Sequence, residues 1–459
     1  MEPKITSPRG FIDTTKPIDQ MTDANVFSPG EMVSPLGVTR DDSIRTAMAS
    51  KQTRHLIPVR HADPVLVTNG TEKVLPYHLS DDFSVVAEHD GKVISFDEKT
   101  NLLIIEYKWK EGKETKTSHK VINLAPQISK NGGGGFYLAN TLKPYFKVGQ
   151  SFKKNDILAA NSKFFGNYAD GVKFNLGTLC KIACMSDYNT FEDSTVISEQ
   201  LSNRMTSEII IPKDVRLGKN ANLIKLVKPG DKVSVNDDLI VFEQSNKDES
   251  INKLLANIGE ELQEEVSNLN KNAIKSKYTG YIADVKIYSV SPLEELSPSL
   301  KKVVGDYWKQ IKDKKDVLKK YNITNPDDMG NIFMDSDEPI VPINGKIKGF
   351  NIEDGVLILI YIAYQNKFGI GDKLINYSAL KGVCSELWDE GKEPFSEYRP
   401  DEQISALLPF SGIAARMTPS VLFVMFANKL LIELKRHLAD IYFGKGKYDY
   451  TQDLDYKDE

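Results

Sequence analysis

Cysteine is scarce in this chain: three residues in 459, at Cys180, Cys184 and Cys384. Three cannot all pair, and a disulfide scaffold of this length would need more, so the expected compartment is a reducing cytoplasm. Long apolar runs are missing as well. Residues 1–30 hold no apolar stretch of signal-peptide length, and nothing approaches the ~20 apolar residues of a membrane helix. Residues 356–363 are too few and too β-branched, and read as a buried strand. Residues 421–427 are followed at once by Asn428 and Lys429, then Glu433, Lys435 and Arg436. The expectation is a soluble protein with no membrane partner. Nor is there an excess of positive charge. Lys plus Arg total 59 against 64 Asp plus Glu, a net charge of −5. That excludes a generally basic DNA-coating protein and leaves local basic sites open.

What remains is a mass of 51.5 kDa, 40% hydrophobic and 27% charged, enough for two to four domains. Residues 1–40 are rich in Ser, Thr, Pro and Asp without periodicity and read as an extended arm. Residues 41–58 (DDSIRTAMASKQTRHLIP) read as a short helix and turn carrying Arg45, Lys51, Arg54 and His55. Several short strands are expected in 64–125, and 132–135 is a four-glycine loop. VGQSFKKNDILAAN (148–161) and PGDKVSVNDDLIVFEQ (229–244) echo one another, each a hairpin ending in a strand, with GYIADVKIY (280–288) pairing nearby. Helical spacing runs through 251–269. A second helix is expected over 298–321, with eight lysines between Lys301 and Lys320. The usual reading of such charge is a solvated face; an RNA- or partner-facing surface is the other. The last helix starts at Thr418 as N-cap with Pro419 in its first turn and ends near Gly444. Its apolar density points to burial against the barrel or other subunits. The tail after it has no core-forming pattern.

Three blocks concentrate charge beside glycine or tight apolar packing. In FGIGDKLINYSALKGV (368–383), Gly371 and Gly382 bracket Lys373 and Lys381, a pairing suited to neighbouring phosphates on a polyanion. In YNTFEDSTVISE (188–199), Glu192 and Asp193 stand side by side. On a strand they would face opposite ways and share a metal only through a bend, so in isolation a helix N-terminus is the preferred reading. In LLPFSGIAARMTPS (407–420), Arg416 could fork onto a triphosphate or pair with a carboxylate that fixes the loop. Cys180 and Cys184, spaced C-x3-C, have no second pair or nearby histidine to complete a zinc site and read as buried thiols.

Together these blocks resemble the β subunit of multisubunit RNA polymerases. GDK and KG with eight residues from lysine to lysine resemble its GDK-x7-KG region. FED followed by ISE resembles the bacterial Asn-Phe-Glu-Asp-x-Ile-x-Ile-Ser-Glu, and Ala-Arg-Met its Ser-Arg-Met. Residues 41–58 are similar to Asp-Ala-Asn-Arg-Ala-Leu-Met-Gly-x-Asn-Met-Gln-Arg-Gln-Ala-Val-Pro, aligning Arg45, Met48, Arg54 and Pro58. Residues 148–161 look like Val-Gly-Asp-x-Val-Lys-Lys-Gly-Asp-x-Ile-Ala. The likeness covers 41–60 and 148–200, more loosely 229–290, and resumes at 345–423. The chain departs where the family has Ala-Gly-Arg-His-Gly-Asn between the lysines, which is Ile375 to Leu380 here, and Thr190 replaces the Asn before Phe-Glu-Asp.

The resemblance implies a mixed α+β, β-rich fold: a double-psi β-barrel with an inserted flap domain and a long C-terminal helix. Its expected divisions are an arm at 1–40, barrel at 41–204, flap-like insertion at 205–335, barrel again at 336–425, and helix end and tail at 426–459. It implies a C-terminal β-type subunit, inactive alone, of the split kind typical of jumbo bacteriophages, working in the cytoplasm of an infected bacterium. The catalytic Mg²⁺ would be held mainly by a β′-type partner. Asp453 and Asp455, a bare Asp-x-Asp in the tail, do not read as its ligands. Lys373, Lys381 and Arg416 would be catalytic and Arg45 and Arg416 would bind the triphosphate. Arg54, Lys373 and Lys381 would contact nucleic acid, and Glu192 and Asp193 would face a second Mg²⁺ directly or through water. Further implied partners are a separate N-terminal β-type chain, a promoter-specificity factor, template DNA, RNA transcript and NTPs. Two rival readings are a non-catalytic nucleic-acid-binding scaffold and a biotinyl or lipoyl carrier. The carrier needs a lysine on an exposed turn, typically in Met-Lys, and no Met-Lys occurs.

Overall fold

The computed structural model describes residues 27–34, 36–53, 55–130, 136–175, 177–243, 271–323, 346–347, 350–351, 354–376 and 380–447. The arm before residue 27, Arg54, the four-glycine loop, the 251–269 helical pattern and Asp453 and Asp455 lie outside them. Two compact units share the chain. One gathers Met1–Val86, Ile157–Ser207 and Asn366–Glu459; the other gathers Ala87–Asp156 and Glu208–Gln365. These limits differ from the sequence-based divisions, because 87–156 belongs with 208–365 and not with the segments on either side of it. The architecture is mixed and strand-rich.

The second unit is organised by the strand Val356–Asn366, whose first eight residues are buried. Its side chains alternate between two apolar layers, as a pleated strand requires. Val356, Ile358, Ile360 and Ile362 join Ile240, Ile282 and Leu300, while Leu357, Leu359, Tyr361 and Ala363 join Ile210 and Tyr288. It pairs antiparallel with Gly280–Ser289 in a six-stranded sheet. The helix Pro298–Lys320 lies on the first layer through Leu300 and Val304, with Ser297 capping the Leu300 N–H. Its far end, at Leu318, covers the base of the hairpin Leu102–Glu111/Glu114–Asn123.

The echoed hairpins are the same turn made from different residues. Lys147–Gln150, Lys153–Asp156, Lys228–Asp231 and Ser234–Asp237 each close with the fourth N–H donating to the first carbonyl, at 3.0–3.1 Å. In each, the third residue is left-handed: Gly149, Asn155, Gly230 and Asn236, at φ 89°, 70°, 91° and 73°. That is a type II turn, open to glycine and tolerated by asparagine. The fourth side chain then accepts the first residue's own N–H at 2.6–2.8 Å. Every copy is followed directly by a strand: Ser151–Phe152, Ile157–Asn161, Lys232–Val233 and Asp238–Glu243.

The first unit is built on a mixed five-stranded sheet. Its order is Ile182–Cys184, Ala406–Leu408, Ser194–Ser198, Leu380–Trp388 and Lys373–Asn376. Ser194–Ser198 runs parallel to Leu380–Trp388 and Ile182–Cys184 parallel to Ala406–Leu408, so segments far apart in the chain pair without hairpins. Ile197, Leu201, Cys384 and Ala406 form its core. At one margin the buried Asp63 carboxylate accepts the Leu179 N–H at 2.6 Å and pairs with Arg204 at 2.8 Å, fixing the segment after the first helices. The C-terminal helix spans Pro419–Phe443, between Thr418 and Gly444. Val421 and Val424 are buried, while Phe426, Leu430 and Ile441 are exposed, so this chain covers only part of its apolar surface. Among the described residues no helix is long and apolar enough to cross a membrane.

Two consequences are measurable. Glu402 accepts from Lys181 at 2.5 Å and from the buried Arg436. Burial alone would raise its carboxyl, but Lys181 and Arg436 outweigh burial and hold it below the ordinary carboxylate range. Glu402→Gln removes one of the two carboxylates around the buried Arg436, leaving Glu433 at 3.2 Å, and should lower stability by about 2 kcal/mol at neutral pH in urea unfolding. The wild-type advantage should be full above about pH 5 and shrink as pH falls through the depressed native value. Separately, a Cβ at Gly382 would stand 2.5 Å from Thr195 Oγ1 and 3.0 Å from the Asp193 carbonyl oxygen. Gly382→Ala should cost about 2 kcal/mol. Adding Thr195→Ala should recover part of that loss, which a double-mutant cycle in urea will read.

Candidate functional site

The GDK block opens with a fifth copy of the turn. The Asp372 N–H donates to the Gly369 carbonyl at 3.1 Å, Gly371 is left-handed at φ 90°, and the Asp372 carboxylate accepts the Gly369 N–H at 2.9 Å. Gly371 and Asp372 thus launch a strand, and Lys373 is its first residue. That strand pairs antiparallel with Leu380–Trp388, placing Lys373 opposite Val383 and Ile375 opposite Lys381. Directly opposed residues share a face, and so do residues two apart on one strand. Lys373 and Lys381 are therefore diagonal neighbours on the same face, with Cβ atoms roughly 7 Å apart, and both are exposed. Two ammonium groups at this spacing repel one another, and an anion bridging them relieves the repulsion.

The FED block sits beside them. It is not a helix N-terminus: it precedes the strand Ser194–Ser198, and the short helix Glu199–Arg204 begins only after it, capped by Ser198. The bend that two adjacent carboxylates would need is present at Glu192, whose φ is 52°. The Val383 N–H donates to the Asp193 carbonyl at 2.9 Å, which is where the absence of a side chain at Gly382 is required. Thr190 is buried, and its hydroxyl accepts the Asp187 N–H at 2.6 Å. Asn189 donates to Glu386 at 2.5 Å, and the Ser385 hydroxyl donates to the Asn189 carbonyl at 2.6 Å. The loop is pinned on both sides, leaving Phe191, Glu192 and Asp193 exposed.

Arg416 closes the arrangement. It follows the helix Phe410–Ala415, and its guanidinium donates to the Asp193 carboxylate and, at 3.2 Å, to the Lys381 carbonyl. Its side chain is 22% exposed and that of Asp193 48%. Of the two sequence readings for Arg416, the loop-fixing carboxylate partner is the one observed. Just beyond, the Asp41 carboxylate accepts the Ser420 N–H at 2.9 Å and the Ser420 hydroxyl at 2.5 Å. An acid 379 positions away thus satisfies the first turn of the C-terminal helix. Arg40 lies 5.4 Å from the Phe423 ring centroid. Arg45 rides on the helix Ser43–Thr53 that follows Asp41, so its block is tied to the Arg416 loop through that carboxylate.

The structure therefore joins Lys373, Lys381, Glu192, Asp193 and Arg416 on one sheet margin and links Arg45 to them through Asp41. Sequence reasoning missed Asp41 and Asp63, and it offered a carboxylate partner for Arg416 without naming Asp193; nothing in the local pattern distinguishes those aspartates from others. Among the described residues no cluster of three or more His, Cys, Asp or Glu side chains could hold a metal ion. Cys180 and Cys184 are half-buried, not fully buried as expected, and their surroundings still oppose the thiolate a metal needs. Desolvation pushes the Cys180 thiol up to about 12 and raises Cys184 as well.

Residues 209–456, more than half of the chain, match the family described as RNA polymerase Rpb2, domain 6. The DNA-directed RNA polymerase subunit beta of Mycoplasmopsis synoviae is 25% identical over 418 residues, covering 89% of this chain and 30% of the relative. That of Lysinibacillus sphaericus is 25% identical over 399 residues, covering 82% and 28%. That of Geotalea daltonii is 32% identical over 191 residues, covering 39% and 13%. The chain thus spans three-tenths or less of the length of these relatives. With the matched segment running from the second unit through both lysines and Arg416, the chain belongs to the RNA polymerase Rpb2 domain 6 family.

Proposed function

We propose that this chain works as a β-type subunit of a DNA-dependent RNA polymerase, supplying a cationic and acidic half-site to phosphodiester formation. The observation that carries this is the meeting of three blocks at one sheet margin, with Asp193 and Arg416 in contact although 223 positions apart. Lys373 and Lys381 neutralise phosphates near the RNA 3′ end and the incoming nucleotide. Arg416, with Arg45, grips the triphosphate and stabilises charge on the pyrophosphate leaving group. A guanidinium has five N–H donors, and the two contacts seen for Arg416 leave others for a phosphate. Arg54 is assigned to nucleic acid on the resemblance alone. A nucleotide-borne Mg²⁺ would neutralise the triphosphate, and Glu192 and Asp193 are the residues that would face it, directly or through water. Two adjacent carboxylates, one already paired with Arg416, suit a supporting role for a metal whose main ligands lie on a β′-type partner. Phosphoryl transfer depends on positioning and charge neutralisation, which fits a site without a nucleophile of its own.

Within this reading the five-stranded sheet is part of a double-psi β-barrel, supported by its two parallel pairs between distant segments. The second unit holds the flap-like insertion. A phage-type split subunit in the cytoplasm of an infected bacterium is assigned on the resemblance alone. Its partners would be β′-type chains, an N-terminal β-type chain and a promoter-specificity factor, acting on template DNA, transcript and NTPs. Mass spectrometry of what co-purifies with the chain from infected cells tests that assembly. In the reconstituted enzyme, Lys373→Ala or Arg416→Ala should lower single-nucleotide addition by about 10²-fold, the scale of losing one preorganised charge contact. Subunit assembly should be unchanged. Wild-type addition rates in both variants would instead leave the chain as a nucleic-acid-binding scaffold.

A further inference from the structure

The helix Pro298–Lys320 carries a feature that the half-site does not use. Its packed side is defined by Leu300, Val304 and Leu318. Six of its eight lysines are exposed. They fall into two adjacent rows, Lys301, Lys312 and Lys319 in one and Lys302, Lys309 and Lys320 in the other. Within each row the steps are seven and eleven residues, close to two and three helical turns. Lys314 is on the other side, where burial lowers its ammonium and Asp284 and Lys286 are near. The rows extend over roughly 27 Å.

The acids of this helix offset the rows only in part: Asp313 also feels the charges of Lys309 and Lys312. Asp313 lies on their flank and is taken by Lys99 at 2.5 Å, and Asp306 stands seven residues before it on the same flank. Asp316 is the acid that projects among the lysines. Among the described residues no ion pair engages Lys301, Lys302, Lys309, Lys312 or Lys319. Lys320 instead lies 5.4 Å from the centroid of the Tyr321 ring. Trp308, partly exposed, sits one helical turn before Lys312. In a chain of net charge −5, the exposed residues of this helix set six lysines against two aspartates, Asp306 and Asp316.

We propose that this face binds the backbone of single-stranded nucleic acid, as a site in the second unit separate from the Lys373 and Lys381 margin. Rows of point charges on long, mobile stems suit a flexible phosphate chain, and the Trp308 ring offers a surface on which an unpaired base can stack. The proposal does not require the half-site reading.

The test uses the full chain and a fluorescently labelled 20-nucleotide oligouridylate, with anisotropy measured across a salt series. Both the parent and the fourfold variant Lys301→Gln, Lys309→Gln, Lys312→Gln, Lys319→Gln are placed in a Lys373→Gln, Lys381→Gln background, which silences the other cationic site. The parent should bind and the fourfold variant should bind at least tenfold more weakly. The slope of log affinity against log salt should fall by roughly 3, at about 0.7 per lost phosphate contact. Photocrosslinking with 4-thiouridine should label a peptide within 298–320. Equal affinity and slope in the two chains would overturn the proposal. So would a preference for duplex of the same length, or polyglutamate binding as tight as oligouridylate, which would make the face a protein-docking surface. Matching far-ultraviolet circular dichroism and urea midpoints will show that the fourfold variant folds.

Discussion

Two strands that start far apart in the chain must run parallel and almost touch for this protein to have a site at all. Ser194–Ser198 lies beside Leu380–Trp388, and the first link between them is the Val383 N–H on the Asp193 carbonyl. That approach leaves no room for a side chain at 382. Parallel pairing has no hairpin to set its register, so side-chain shape at the crossing has to do it. Gly382 and Thr195 perform that task. Once they are in register, the residues on either side follow: Asp193 at the start of one strand, Lys381 near the start of the other, Lys373 diagonal to it.

Charge at this margin is arranged so that each group restrains another without being consumed. Arg416 holds Asp193 and the Lys381 carbonyl together, and is itself only partly exposed. Glu192, next to Asp193 but turned by its left-handed backbone, is left at the surface. Lys373 and Lys381 have no acid between them in the pairing register. An anion arriving here meets two lysines whose strand positions are already set and an arginine already held in orientation. Little conformational entropy is then lost on binding, which is the advantage of preorganisation.

The parts of this arrangement that sequence could reveal are those written locally. Eight apolar residues in a row made Val356–Asn366 a buried strand, and Pro419 with Gly444 bounded the last helix. The echo of 148–161 in 229–244 was visible because glycine or asparagine suits the left-handed turn residue and aspartate or glutamine accepts the turn's first N–H. What could not be read was pairing between distant segments. Glu192 and Asp193 looked like a helix N-terminus because acids before an aliphatic run are common there; the parallel strand that makes them a bend lies almost two hundred residues away. Asp41 capping Ser420 and Asp63 gripping Arg204 are likewise single aspartates whose meaning is set wholly by what folds against them. The family resemblance supplied the order of the blocks but not their contacts.

The repeated turn explains why the departure from the family between the two lysines need not unseat them. Lys373 is placed by the turn at Gly369–Asp372, the fifth instance of a device used four times elsewhere merely to start strands. Lys381 is placed by antiparallel pairing with the strand that this turn launches. Of the segment that differs from the family pattern, Ile375 and Asn376 continue the launched strand and Leu380 is buried against Ile413 and Val421, so apolar packing at its ends keeps the pairing in place. Backbone register on one side and a carboxylate-clamped turn on the other put two lysines on one face. A site specified in this way is sensitive to a single methyl group at Gly382.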